Sequence, residues 1–162
     1  MDESDIKRLV RVAQDADSVD GQLTNFKKHC RKATDQAKQR FKEQGKDVPS
    51  WEIVAKTLAQ LDKATVPALK AVDSVHKLVG NKKKLEKLEF SEAKKELRGY
   101  IAKMKPADDA AASVLTAAEK VFHEIGLREA GSSNLNLKLM IEKYGPFFIE
   151  YYCNLKVNVN KL

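Results

Sequence analysis

Apolar residues recur at intervals of three and four along almost the whole chain, and this period constrains the fold more than any other feature. One such stripe runs through Leu23, Phe26, Cys30, Ala33, Ala37 and Phe41. Residues at these intervals share one side of an α-helix, where they can be buried together. The sequence therefore predicts an all-α protein, a compact helical bundle.

Glycine, proline and capping residues indicate where the helices are expected to break. Breaks are predicted after Asp20, at Gly45, at Thr65, at Gly80, at Pro106, at Gly126 and at Gly145–Pro146. Ser50 and Ser91 are predicted to cap helices, and residues 131–134 read as a linker. Residues 157–160 are expected to fray.

These breaks suggest three parts. Residues 1–20 are predicted to form an N-terminal helix, and residues 21–130 a helical bundle whose central unit covers about 47–105. Residues 131–162 are predicted to form a C-terminal helical extension, because aromatic residues concentrated near a chain end usually dock onto the main core.

Composition narrows the class of protein. The chain has 162 residues, 43% apolar and 33% charged, which is too apolar for intrinsic disorder. Its acidic start lacks the pattern of a secretory signal, and no apolar run reaches the ~18 residues of a membrane span. Cys30 and Cys153 lie far apart without redox or metal spacing. We expect a nuclear or cytoplasmic protein that does not act on membranes.

No pattern of catalytic or metal-binding residues is visible in the sequence. His29, His76 and His123 fall on different predicted helices, and none has a carboxylate or thiol partner at ligand spacing. Glycine-rich phosphate loops and nucleophile motifs are missing from the sequence, and the carboxylates are scattered. The sequence predicts a protein that is not an enzyme and needs no cofactor or metal.

Most of the net charge of +7 comes from one segment. Residues 27–46 carry eight lysines or arginines against two carboxylates, and the candidate phosphate contacts are Lys27, Lys28, Arg31, Lys32, Lys38 and Arg40. A helix face of this kind suits nucleic acid or another acidic surface, but it also suits a solvated face. Aromatic residues for base stacking are not interleaved, because Phe26 and Phe41 belong to the apolar stripe.

A short connection between two predicted helices carries Leu88, Glu89 and Phe90. Its two apolar side chains either fill the core or form the wall of a pocket, and periodicity alone leaves both open. Asp47 precedes a predicted helix and has an ordinary role as a capping or turn residue.

Residues 22–105 resemble the TFIIS N-terminal domain superfamily. The resemblance is carried by the helix pair in residues 57–71, with Leu58, Leu61, Val66 and Ala71 at apolar or identical positions. The most similar member is the integrase-binding domain of lens epithelium-derived growth factor. Asp47 aligns with its ligand-contacting aspartate, and residues 88–91 align with its interhelical loop after a small insertion near Lys84.

The resemblance implies a right-handed bundle of helix hairpins that binds short, disordered, acidic motifs containing a phenylalanine. Asp47 is expected to accept backbone amide bonds from the motif, while Leu88 and Phe90 line its pocket. Acidic residues beside the motif would then meet Lys83, Lys84 and Lys87. The sequence departs from the family pattern at Lys46, where the family has isoleucine, and at Leu88, where it has phenylalanine.

The sequence thus predicts a nuclear protein-interaction module of the transcription-elongation type. Cytoplasmic location remains the alternative. Two further functions stay open: binding of nucleic acid or an acidic surface through residues 27–46, and a coiled-coil scaffold formed by the stripe from Leu23 to Phe41. The oligomeric state is not determined by the sequence.

Overall fold

A computed structural model describes the backbone of residues 1–43, 45, 50–125 and 131–162. Its description leaves out the side chains of residues 33, 37, 40, 41, 50, 51, 121–125 and 131–141. The described residues form six helices: α1 (Glu3–Glu43), α2 (Ser50–Gly80), α3 (Lys82–Lys87), α4 (Phe90–Ala102), α5 (Lys105–Ile125) and α6 (Gly131–Asn160). For the described residues, the predicted all-α bundle is confirmed.

Four long helices, α1, α2, α5 and α6, form an antiparallel bundle in which each packs against two others. The most extensive contacts join α1 to α6 and α2 to α5, and further contacts join α1 to α2 and α5 to α6. The short helices α3 and α4 connect α2 to α5, and α4 contacts both α2 and α6. They therefore lie at the end of the bundle where α1 and α5 begin and α6 finishes, which we call the α4 end.

The core is built from the apolar sides that the sequence period predicts. Phe26, Leu61, Leu97, Val114 and Phe148 are fully buried and come from the five larger helices. Full burial of one such side chain contributes roughly 1.5–3 kcal/mol, and this packing supplies most of the stability of amphipathic helices. None of the described helices has the length and apolarity that crossing a membrane requires.

The break predicted after Asp20 is wrong, because α1 continues through Gly21. Glycine inside a helix costs about 1 kcal/mol relative to alanine. The buried side of α1 nevertheless continues from Val19 to Leu23 across it, so packing outweighs the local preference. The predicted stop at Gly45 is confirmed: α1 ends at Glu43, and Gly45 has a φ of 67°, which glycine adopts without strain.

The break predicted at Thr65 is also wrong. α2 is one helix, in which the Thr65 hydroxyl donates to the carbonyl of Leu61 over 2.6 Å. Pro67 lies inside this helix on its exposed side, where water can satisfy the backbone carbonyl that the proline ring displaces. The helical register places Val66 outward, 55% exposed.

The linker predicted at residues 131–134 and the break predicted at Gly145–Pro146 both lie within α6, so both predictions are wrong. Its backbone is helical from Gly131 and continues through Gly145 and Pro146 to Asn160, so the fraying expected for residues 157–160 is not observed. A Cβ on Gly145 would lie 2.9 Å from Leu115 Cδ2 and 3.2 Å from Phe26 Cε2. This glycine therefore permits close approach of α6 to α5 and α1.

Two helix ends differ by a few residues between the sequence prediction and the structure. α4 is capped by Glu89 and not by Ser91, and Glu89 forms a reciprocal capping box with Glu92. α4 ends at Ala102, and Pro106 lies in the first turn of α5, where its missing N–H costs little. Both of these helix termini form part of the surface at the α4 end.

Candidate functional site

The peptide site predicted from the sequence is only partly visible. Asp47 lies outside the described residues. Leu88 and Phe90 are half-buried and pack against the core. The guanidinium of Arg8 covers the Phe90 ring, with 5.0 Å between its carbon and the ring centroid. Leu88 and Phe90 therefore have a packing role in the structure. Peptide binding at this loop stays a prediction.

The three lysines predicted to flank a bound motif lie together on α3. Lys83, Lys84 and Lys87 are all exposed. Lys84 forms a loose ion pair with Glu96 of α4, at 4.0 Å, and its backbone amide donates to the side chain of Asn81. Exposed ion pairs contribute at most about 1 kcal/mol, so these lysines mainly set the local potential.

The described basic side chains of residues 27–46 lie on different sides of α1. Lys27 and Arg31 both pair with Asp62 of α2, with Lys27 Nζ 3.4 Å from Asp62 Oδ1. Lys28 and Lys32 are exposed and form no ion pair with a described carboxylate. Lys38 is also exposed, and the side chain of Arg40 is outside the description.

A groove of about 310 Å³ lies between α4 and α6 at the α4 end, and it was not predicted from the sequence. We call it the α4–α6 groove; its lining residues are Arg98, Ile101, Ala102, Lys105, Tyr152, Lys156, Val159 and Asn160. Ile101, Tyr152 and Val159 are buried side chains that form an apolar floor. The three cations among the described lining residues come from three different helices, and none of those lining residues is a carboxylate.

Local structure explains why these side chains meet. Because α4 ends at Ala102 and α5 begins at Lys105, the chain turns at the mouth of the groove. Tyr152 of α6 donates its hydroxyl to the carbonyl of Ile101 over 3.4 Å, near the last turn of α4. This contact joins the two walls of the groove.

Charges of both signs determine the electrostatic potential in the groove. Burial raises the pKa of Asp108, and the neighbouring Asp109 raises it further, while Lys156 and Lys105 act in the opposite direction. Burial, followed by the charges of Asp108 and Asp109, raises the pKa of Tyr152 to about 12. The lining is therefore cationic, with a pair of carboxylates close by that compete for the same lysines.

The remaining reactive groups do not assemble into a further site. Burial raises the pKa of the Cys30 thiol well above its usual range, which keeps it protonated. Within the part of the chain that the structure describes, no three histidine, cysteine or acidic residues come together as metal ligands.

Comparison with known proteins adds no relative. No family model matches the chain, and no curated protein or solved structure matches it. The similarity of residues 22–105 to the TFIIS N-terminal superfamily therefore stays a prediction.

Sequence reasoning missed the groove for a physical reason. Arg98 reads only as part of the polar side of α4, and Lys156 precedes a segment that was expected to fray. The two residues are far apart in sequence, and only the docking of α6 brings them together. The available signal was the amphipathic continuation Tyr152, Leu155, Val159, whose spacing of three and four predicts a helix that reaches the end of α6.

Proposed function

We propose that the protein is a non-enzymatic interaction module that binds short acidic segments of partner proteins in the α4–α6 groove. An apolar side chain of the segment enters between Ile101 and Val159, and its carboxylates meet Arg98, Lys105 and Lys156. The single observation that carries this proposal is the combination of a buried apolar floor with three cations in the lining.

The size of the groove favours a linear segment. Its volume of about 310 Å³ is at the lower end of ligand pockets, which run from about 300 to 1,000 Å³. A groove of this size suits one apolar side chain, whereas a folded partner requires a larger surface. A short motif with one aromatic or leucine anchor is the ligand that fits.

The charges favour an acidic ligand and fast association. Complementary charges across an interface mainly raise the association rate and the specificity, and the buried anchor supplies most of the affinity. The resemblance to the TFIIS N-terminal superfamily supports the same ligand class, and with it a nuclear role in transcription elongation.

The proposed groove differs in position from the loop predicted by that resemblance. Leu88 and Phe90 lie before or at the start of α4, whereas the groove lies beside its last turns. We favour the groove because Arg8 already covers the Phe90 ring. The scaffold alternative is less favoured, because Leu23, Phe26 and Cys30 of the proposed stripe are buried inside the bundle.

The proposal is tested by calorimetric titration with an acidic peptide that contains one phenylalanine. Arg98→Glu should weaken binding by about tenfold or more, since a lost charged contact costs about 1.5–3 kcal/mol. Ala102→Phe should also weaken it, because Ala102 is exposed in the lining and the new ring would fill the groove without changing its charge.

Lys70→Glu is the matched control, because Lys70 is an exposed lysine on α2, outside the lining. The proposal fails if Arg98→Glu and Ala102→Phe both bind the peptide as the unaltered protein does. Equal losses for Arg98→Glu and Lys70→Glu would indicate attraction by net charge alone.

A further inference from the structure

Three aromatic side chains lie along one side of α6, next to α1. They are Tyr144, Phe147 and Tyr151, which we call the aromatic strip. Their spacing of three and four residues places them on neighbouring positions of the helix surface. Phe147 is 43% exposed and Tyr151 40%, so both rings are accessible to a ligand.

The strip reaches α1 through a stacked pair. The rings of His29 and Tyr144 have centroids 4.6 Å apart and an angle of 9° between their planes. The ammonium of Lys143 lies 5.3 Å from the Tyr144 centroid. A parallel stack that spans two helices gives the strip a fixed position relative to α1.

One cation of α1 flanks this stack. Lys32 follows His29 by three residues, so it lies at a neighbouring position of the helix surface, and it is exposed. It pairs with no carboxylate that the structure describes, in contrast to Lys27 and Arg31, which are held by Asp62. Lys32 and Lys143 are thus positively charged groups beside the stack.

We infer that this surface binds single-stranded nucleic acid, with bases stacked on Phe147 and Tyr151 and phosphates bound by Lys32 and Lys143. Exposed rings beside cations are the two elements that such sites combine. Base stacking on a side chain requires unstacked bases, so a single strand fits and a duplex does not.

The residues beside the strip favour nucleic acid over a lipid surface. Asn25 and Gln22 precede His29 by four and seven residues, so they continue the side of α1 that faces α6. Amide side chains can donate to and accept from base edges. A membrane-binding helix would place apolar residues at these positions.

This inference does not depend on the α4–α6 groove. The groove lies at the α4 end, while His29 and Tyr144 lie near the middle of α1 and α6. The aromatic strip also supplies the stacking residues that the basic segment of α1 lacks. These residues come from α6, more than a hundred residues later in the sequence.

The test is fluorescence anisotropy with labelled oligo(U) and oligo(dT) of about 16 nucleotides, the upper site size of a single-strand-binding module. The full chain should bind both, and binding should weaken with salt at a slope of about −1.4 for two phosphate contacts. A duplex of equal length should bind more weakly.

Phe147→Leu and Tyr151→Leu retain apolar area but remove the ring, and each should weaken binding at least about fivefold. Val157→Ala is the matched control, because Val157 is also exposed on α6 and lies outside the strip. Lys32→Glu should weaken binding and lower the salt slope by about one contact.

Three results would overturn the inference. The first is failure of both oligonucleotides to bind at low salt. The second is binding that is unchanged by both leucine substitutions or equal for the duplex, which would indicate charge alone. The third is preferential binding to vesicles of phosphatidylserine and phosphatidylcholine that is lost in the leucine variants.

Discussion

The basic segment of α1 and the α4–α6 groove are both rich in cations, but the structure uses the charges differently. In α1 they follow one another along a single helix, and Lys27 and Arg31 are neutralised in part by Asp62 while Lys28 and Lys32 are exposed. In the groove, Arg98, Lys105 and Lys156 come from three helices and surround a buried apolar floor. Charge density in the sequence therefore does not identify a site; the residues that other helices place beside the charges do.

The second lesson of this comparison concerns the ligand. The α1 segment lies beside exposed aromatic rings, an arrangement suited to stacked bases. The groove offers a recess for one side chain, an arrangement suited to a peptide anchor. The following variants test each region separately.

The largest expected effect concerns Tyr152, in the groove floor. Its folded-state pKa of about 12 exceeds the ordinary value of 10.0 because of burial and the nearby carboxylates. The folded state therefore binds more protons than the unfolded state at alkaline pH, and the free energy of unfolding should fall by up to about 3 kcal/mol as pH rises from 10 to 12. Urea denaturation across this range should show a smaller fall for Tyr152→Phe.

Tyr151→Phe is the control for that experiment, because it removes an exposed tyrosine from the same helix. Equal pH dependence in the Tyr152→Phe and unaltered proteins would contradict the packing assigned to the groove floor.

The next effect concerns the contact between α6 and the helices beside the aromatic strip. Gly145→Leu would force atoms against Leu115 and Phe26, where even a Cβ is too close. Overpacking of this kind costs about 1–3 kcal/mol, so chemical denaturation should show a loss of about 2 kcal/mol. Gly99→Leu is the control, because a Cβ on Gly99 meets no atom within 4 Å. Leucine has a higher helix propensity than glycine, so Gly99→Leu should lose no stability. A loss of the same size in both variants would contradict the close packing assigned to Gly145.

A smaller effect is expected from Asp108, the carboxylate that competes for Lys156 and Lys105. Asp108→Asn should strengthen binding of the acidic peptide by about threefold, as expected for a charge contribution below about 1 kcal/mol. Asp108→Asn should also change how the stability of the protein depends on pH. Because the pKa of Asp108 is raised in the folded protein, stability falls as pH rises through that pKa, and the asparagine variant should lose this fall.

The smallest effect is expected from Asp62, which holds two cations of α1. Asp62→Asn should release Lys27 and Arg31 and raise the affinity for oligo(U) by about twofold, with a change in stability below about 1 kcal/mol. Anisotropy and denaturation measure the two effects. A reduced affinity for oligo(U) would show that Asp62 supports the nucleic-acid surface by positioning these cations.

Much of the secondary structure follows from the sequence, because the buried side of each helix repeats every three or four residues. The helix ends at Gly45 and Gly80 also follow from local chemistry. The breaks expected at Gly21 and Thr65 were wrong because burial on both sides of each residue outweighs a local preference of about 1 kcal/mol. At Gly145–Pro146 the local cost is larger, about 3 kcal/mol for a proline inside a helix, and it is offset by the buried side chains that follow, Phe148, Tyr152 and Leu155. At Gly145 the residue that suggested a break instead allows close packing.

The candidate sites were less accessible to sequence reasoning. Lys28 and Lys32 could be identified as candidates, but Phe147 and Tyr151 become relevant only when α6 packs beside α1. Arg98 and Lys156 become neighbours of one groove only when α6 packs against α4. Contacts between distant segments depend on tertiary packing, which helical periodicity does not specify.

The central claim is that the acidic-peptide site is the α4–α6 groove and not the corner at residues 88–90. The most direct measurement is NMR titration of the methyl-labelled protein with the acidic phenylalanine peptide. We predict the largest shifts for the methyl groups of Ile101, Ala102 and Val159, with saturation at one equivalent. Largest shifts at Leu88, with the groove methyl groups unchanged, would contradict the account and favour the pocket predicted from the sequence.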